Sequence, residues 1–291
     1  MKQRLPSFMN YTFLFLITLT MLLPVLNILA LSLTDPAQVS KMNGLDIWPK
    51  GFTLINYKAL LSNPQVGMSI LNSIFITVVG TFINLLLTAM AAYVLTRPNF
   101  VGKRFFMVLL IIMMVFEPGL IQEYLVVKDL GLLNTYTSVL LYKAVDVYYL
   151  IILMRFFEEV PETIIEAARI DGAGHFRIFT KIMLPLSKPA LATLCLFYGV
   201  FHWNEFFRAS IYLSEPEKWP LQLLLRQFVV LNDTTAMLGV DSMLSYNEVA
   251  KLEYASLSAG TIIISIIPLL LLYPLILKFY TKGNLEGGVK D

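Results

Sequence analysis

Six ionisable residues interrupt apolar stretches of this sequence: Glu117, Glu123, Lys143, Asp146, Glu205 and Arg208. Charge inside such a run is expensive, so each is by default a candidate for function. Glu117 precedes Pro118-Gly119, where a helix is expected to kink. Lys143 and Asp146 stand three apart, close enough on one helical face to pair with each other. Trp203, Asn204, Glu205 and Arg208 form a polar and aromatic patch. An indole suits the apolar face of a sugar ring, and an amide and a carboxylate suit its hydroxyls. Every one of these residues also has a structural reading, as an ion pair that holds helices together or as a side chain that snorkels to water.

A second constellation is the polar stretch Glu166-Ala-Ala-Arg-Ile-Asp-Gly172-Ala-Gly-His-Phe-Arg-Ile-Phe-Thr-Lys-Ile-Met-Leu-Pro185, set between long apolar runs. Its residues predict two short helices and a hinge. Pro161 suits a first helical position, and Glu162 and Glu166 suit the positive end of the helix dipole. Gly172 and Gly174 bracket the break, because glycine reaches left-handed angles without a Cβ clash. A second helix runs from about His175 to Met183 and ends before Pro185. On it Phe176, Phe179, Ile182 and Met183 make one apolar stripe. Ala167 and Ala168 keep the first helix thin enough for another surface to approach its backbone. From local physics, the stretch is either an amphipathic hairpin packed on its own bundle or a docking element.

Other chemistry is excluded by count. The single cysteine, Cys195, permits no intrachain disulfide, and His175 and His202 have no companions at metal-ligand spacing. No phosphate-binding loop occurs, and Gly172-Ala-Gly174 is not a dinucleotide fingerprint because Arg177 stands where the third glycine belongs. A net charge of +2 argues against nucleic acid as a partner.

The elements that must position these residues are membrane spans. The 291-residue chain is 57% hydrophobic and 14% charged, an integral-membrane composition. Six segments are long enough to cross about 30 Å of hydrocarbon, near Tyr11–Leu33, Ile70–Leu95, Phe105–Val127, Tyr136–Phe157, Ala190–Leu213 and Leu257–Tyr280. The first is too long and lacks the cleavage site of a signal peptide. Lys and Arg set the orientation: thirteen lie at the two termini and in the connections around Arg97 and Glu166, against eight on the opposite side. Both termini and the Glu166 loop are therefore expected in the cytoplasm. The segments 34–69 and 214–256 are expected outside, as irregular loops of which the first holds a short helix. The whole chain, 1–291, reads as one transmembrane domain, with a core at about 70–280 and a cytoplasmic loop at about 158–187.

The order Glu-Ala-Ala, Asp-Gly-Ala, Ile-x-Leu-Pro over Glu166–Pro185 resembles the coupling-loop motif of ABC importer permeases. Residues 70–280 resemble the permease core of carbohydrate importers of the maltose-importer type. Tyr124–Tyr136, His202-Trp-Asn204 and Trp219-Pro-Leu-Gln222 resemble the LplC/YtcP-type oligosaccharide permease subgroup. The tail Lys282-Gly283-x-x-x-Gly287 is similar to the family's ending, although Asn284-Leu285-Glu286 makes it more polar.

The resemblance implies an all-α integral membrane protein with six transmembrane helices, the type I ABC importer permease fold and a cytoplasmic coupling-helix loop. It implies a non-catalytic subunit of a bacterial, binding-protein-dependent importer in the cytoplasmic membrane, with oligosaccharide as substrate. ATP and Mg would be bound by two partner ATPase subunits and not by this chain. The other partners would be a second homologous permease and an extracytoplasmic sugar-binding protein. Residues assigned to ATPase coupling are Glu166, Ala167, Ala168, Asp171, Gly172 and Phe176. Those assigned to the substrate pathway are Glu117, Trp203, Asn204 and Glu205. The competing readings are an ion-coupled secondary carrier, with Glu117, Glu205 or Asp146 as its coupling carboxylate, and a non-transporting membrane scaffold.

Overall fold

A computed structural model describes residues 4–98, 100–116, 118–231 and 253–286, and the described residues form helices with no strand among them. Their contacts divide the chain into two units, residues 1–69 with 224–268, and residues 70–223 with 269–291.

In the first unit, α1 (Arg4–Ser32) is long and apolar. The segment after it is irregular and carries the short helix expected, and specific hydrogen bonds fix it in place. Thr34 pairs with Phe52 in an isolated bridge, and Asp35 caps a short 3₁₀ turn, Pro36–Lys41, by accepting the Ala37 N–H. The Asn27 amide reaches back from α1 to donate to the carbonyls of Asn43 and Asp46. A hydrogen bond from Lys50 holds the Asp46 carboxyl below its usual range. The helix α2 (Ile55–Ser62) is tied down by Asn56, fully buried, which donates to the carbonyls of Ser32 and Thr34 and accepts from Ser256 Oγ. Buried backbone carbonyls need donors, and one amide side chain supplies two.

The helix α3 (Pro64–Thr96) begins six residues before the span expected from hydropathy. In the second unit it contributes to the main core, a buried cluster that includes Tyr93, Leu153, Phe157, Ile178, Met183, Leu194 and Tyr198. A smaller cluster gathers Ile76, Val139, Ala209 and Leu223. Among the described residues, several of the six expected segments are broken rather than single helices. Within the same residues, α1, α3 and α13 (Tyr254–Glu286) each contain a single stretch long and apolar enough to cross, and two bent pairs bring the number to as many as five. The third expected span is described as α4 (Lys103–Val115) and α5 (Leu120–Asp129), with Phe116, Pro118 and Gly119 outside both helices. The fourth is α6 (Tyr136–Leu140) and α7 (Val147–Glu158), parted at 141–146. The 12 residues of α7 reach about 18 Å, short of a bilayer. The fifth is α10 (Lys188–Trp203) and α11 (Phe207–Tyr212), parted at 204–206.

Between them lie α8 (Glu162–Ile170) and α9 (His175–Leu186), the latter meeting α10 at 82°. Contrary to the sequence reading, α9 does not stop before Pro185. A π-helical turn over Phe179–Met183 resets the hydrogen-bond pattern, so the missing proline N–H is absorbed without ending the helix. After a 3₁₀ turn at Pro216–Lys218, α12 (Leu221–Val230) follows. Of the expected outer loop 214–256, residues 232–252 lie outside the described residues.

Candidate functional site

Two regions of the second unit carry the candidate residues. The first is the hairpin α8–α9. Pro161 stands as the cap residue just before α8, and Gly172 adopts φ +78°, the left-handed angle that its glycine allows. Gly174, at φ −74°, is in ordinary extended backbone, so the hinge needs one glycine and not two. Ile165, Ile178, Phe179 and Met183 anchor the hairpin in the core, and Ala168 packs partly against it. Tyr93 Oη meets His175 Nδ1 at 3.0 Å, and the Tyr93 ring tilts against Phe179, tying α9 to the end of α3. The apolar stripe is therefore split. Phe179 and Met183 go inward, whereas Phe176 is 79% exposed and Ile170 87%. Glu166, Ala167, Asp171 and Gly172 are exposed beside them. A hairpin rooted in the core that turns carboxylates and two large apolar side chains outward has the anatomy of a docking surface.

The second region is where the apolar segments break. Glu205, 7% exposed, caps α11 by accepting the Arg208 N–H at 2.7 Å. Asn204 is exposed and donates to the Val200 carbonyl at the end of α10, and Trp203 is buried. The patch read from sequence thus forms the joint between α10 and α11. Glu117 lies outside the described residues. Lys143 and Asp146 do not pair in a salt bridge. Asp146 Oδ1 caps α7, accepting the N–H groups of Tyr148 and Tyr149, because the expected continuous helix stops at this point. Arg208 pairs with Glu123 at 3.7 Å, lies 4.0 Å over the Tyr142 ring and donates to the Tyr142 hydroxyl.

Sequence reasoning missed the residues that support these breaks. Ser73, Thr77, Thr81, Asn84 and Thr88 recur on α3 at spacings of three and four, a polar stripe visible in the sequence. Asn84 Nδ2 donates to the Lys143 carbonyl at 3.4 Å, and Thr88 shares a hydrogen bond with Tyr198, whose oxygen accepts the Asp146 N–H. Further along, Asn72 donates to the carbonyls of Glu217 and Trp219 and accepts from Tyr136. Lys218 donates to the Asn134 carbonyl and pairs with Glu215, holding that carboxyl below its usual range. Two motifs distant in sequence, around Asn134 and around Trp219, are joined this way.

Helices with apolar faces, a rooted hairpin and polar breaks in the apolar segments are the architecture of a helical membrane protein. Residues 69–283 match the family model described as the binding-protein-dependent transport system inner membrane component, and the chain belongs to that family. It is similar to the polygalacturonan/rhamnogalacturonan transport system permease protein YtcP of Bacillus subtilis (strain 168), 38% identical with all of both chains covered. It is also similar to protein LplC of the same organism, 42% identical over 92% of this chain and 89% of the relative. A solved chain from a bacterial ABC transporter involved in the import of the acidic polysaccharide alginate superposes with a TM-score of 0.88 at 30% identity, covering 96% of this chain and 98% of its own.

Proposed function

We propose that this chain is one of two different permease subunits in a bacterial ABC importer for oligosaccharides. The observation that carries the reading is the exposed α8–α9 surface around Gly172. A rigid hinge presents Glu166, Ala167, Asp171 and Phe176 to a partner, and Ile178, Phe179 and Met183 transmit its movement to the core. The partner is a separate ATPase subunit, which binds ATP and Mg. Two copies of it, a second homologous permease and an extracytoplasmic sugar-binding protein complete the assembly. The similarity to the YtcP permease and to the alginate importer chain supports an oligosaccharide as cargo. The orientation follows the basic residues: both termini and the hairpin are cytoplasmic. Closure of the ATPase pair moves the hairpin, and access to the sugar route alternates. Asn204 borders that route, and the buried Trp203 and Glu205 fix the backbone that presents it. Glu117 is assigned to the same route.

Replacing Glu166 by lysine puts like charges across the docking surface. Gly172→Val forces a β-branched residue into φ +78°, a strain of roughly 1–3 kcal/mol. Both variants are expected to insert at normal abundance and to lose uptake. The purified complex should either shed the ATPase or hydrolyse ATP without stimulation by loaded binding protein. Wild-type uptake by both variants at equal abundance would sink the reading.

A further inference from the structure

The chain that leaves α1 folds back along it. The Asn27 side chain, five residues before the end of α1 at Ser32, donates to the carbonyls of Asn43 at 2.9 Å and Asp46 at 2.7 Å. At 1.5 Å of rise per residue, those carbonyls are held about 7.5 Å back from the helix end. Further on, the Asp35 N–H donates to the Gly51 carbonyl and the Thr53 N–H to the Leu33 carbonyl, so the chain is level with the helix end again. We propose that the segment 43–52 is an interfacial anchor, which lays Leu45, Ile47, Trp48 and Phe52 into the boundary between lipid headgroups and acyl chains around α1. The inference goes beyond the transport reading and needs only that α1 crosses the bilayer, as its length and hydropathy allow.

All four side chains are exposed, Leu45 at 77% and Trp48 at 78%. Single exposed apolar residues are ordinary, but four among the eight residues 45–52 make a surface poorly served by water. Around Asn27, α1 exposes Leu22, Val25, Leu26 and Leu29, so the loop continues an apolar surface that belongs in the bilayer. Asn27 supplies the reason for the fold-back. An amide inside an apolar span is costly unless hydrogen-bonded, and the two loop carbonyls satisfy it. The loop's charges also suit a boundary. Asp46 Oδ2 accepts the Asn43 N–H at 2.8 Å and pairs with Lys50 Nζ at 2.8 Å, and Lys50 donates to the Lys41 carbonyl as well. Lys41 is exposed beside them, a cation of the kind that anionic headgroups attract. Tryptophan, with an apolar body and one N–H, is enriched at this level of a membrane. The setback of the loop matches the depth of about 5–10 Å at which interfacial segments bury their apolar side. A surface built to receive a soluble binding protein would project past the helix end, whereas this one turns back toward the membrane.

The test is site-directed spin labelling of the complete assembly in liposomes of phosphatidylethanolamine and phosphatidylglycerol, with Cys195→Ala in this chain and reactive cysteines replaced in the others. Nitroxides are attached singly to Leu45→Cys and Trp48→Cys, whose native side chains are exposed, so the fold is not disturbed. Met21→Cys, exposed within α1, serves as the lipid reference, and Glu217→Cys, exposed in a polar turn, as the water reference. Oxygen concentrates in lipid and a nickel chelate stays in water. At 45 and 48, as at 21, oxygen is expected to relax the label more than the chelate does, with the order reversed at 217. Asn27→Leu removes both amide donors and should shift 45 and 48 toward the chelate while 21 is unchanged. A chelate response at 45 and 48 equal to that at 217 would overturn the proposal, whether or not loaded binding protein then shields the labels. Labels reached by neither reagent would also overturn it, since a protein surface, from the second permease or from residues 232–252 of this chain, would then cover them. An unshifted response in Asn27→Leu would overturn the assignment equally, because the fold-back would not be what sets the depth. Failure of the transport reading is separately visible, as normal import by Gly172→Val.

Discussion

At position 80 an added Cβ would fall 2.5 Å from His202 Nε2, closer than such atoms approach. The His202 ring is 1% exposed, and neither ring nitrogen has a hydrogen-bond partner among the described residues. Its place is therefore set by packing against Gly80, and the close approach of α3 and α10 depends on a residue without a side chain at that point. Gly80→Ala is expected to destabilise by about 1–3 kcal/mol, as over-packing does. Adding His202→Ala should recover part of that loss, and a double-mutant cycle on detergent melting temperature reads the coupling. The histidine was conspicuous in the sequence within His202-Trp-Asn204, but nothing local said that a glycine on a distant helix made room for it. The Gly172 hinge is the contrary case. Its left-handed angle was legible because the glycine follows a helix whose exposed face ends there.

The elements divide according to whether their breaks carry a local signal. Pro118-Gly119 announces the stop between α4 and α5, since proline lacks an N–H and glycine costs a helix entropy. The run Leu141-Tyr-Lys-Ala-Val-Asp146 contains neither residue, and a continuous apolar span was the natural reading. The helix ends there because Asn84 and Tyr198 satisfy the freed backbone groups and Asp146 caps the next turn. Asp146→Ala is expected to cost about 0.5–2 kcal/mol, the usual worth of such a cap. Asp146→Asn should retain most of the stability, because its amide oxygen can accept the same N–H groups. Thermal unfolding of the purified complex measures both. The result also discriminates between roles: a coupling carboxylate would lose transport in the asparagine variant at unchanged stability, whereas a cap would not.

For the whole molecule, the orientation argument yields a topology test. In a Cys195→Ala background, an impermeant thiol reagent applied to intact cells should label a cysteine at Glu217 and leave one at His175 unlabelled; the reverse pattern would invert the assignment. By itself the sequence determined the membrane class, the α8–α9 hairpin with its glycine hinge, and the family, because each depends on composition or on residues contiguous in the chain. Hydropathy cannot count spans when a segment of sufficient length is broken by contacts from elsewhere, and here three of six expected spans are interrupted. Tertiary structure alone decided that Lys143 and Asp146 do not pair in a salt bridge, that Phe176 turns outward while Phe179 turns in, and that the motifs around Asn134 and Trp219 meet. In each case a side chain or carbonyl from a remote segment satisfies or displaces the local choice. Buried polar groups must find partners wherever the fold supplies them, and in this chain the partners stand tens of residues away.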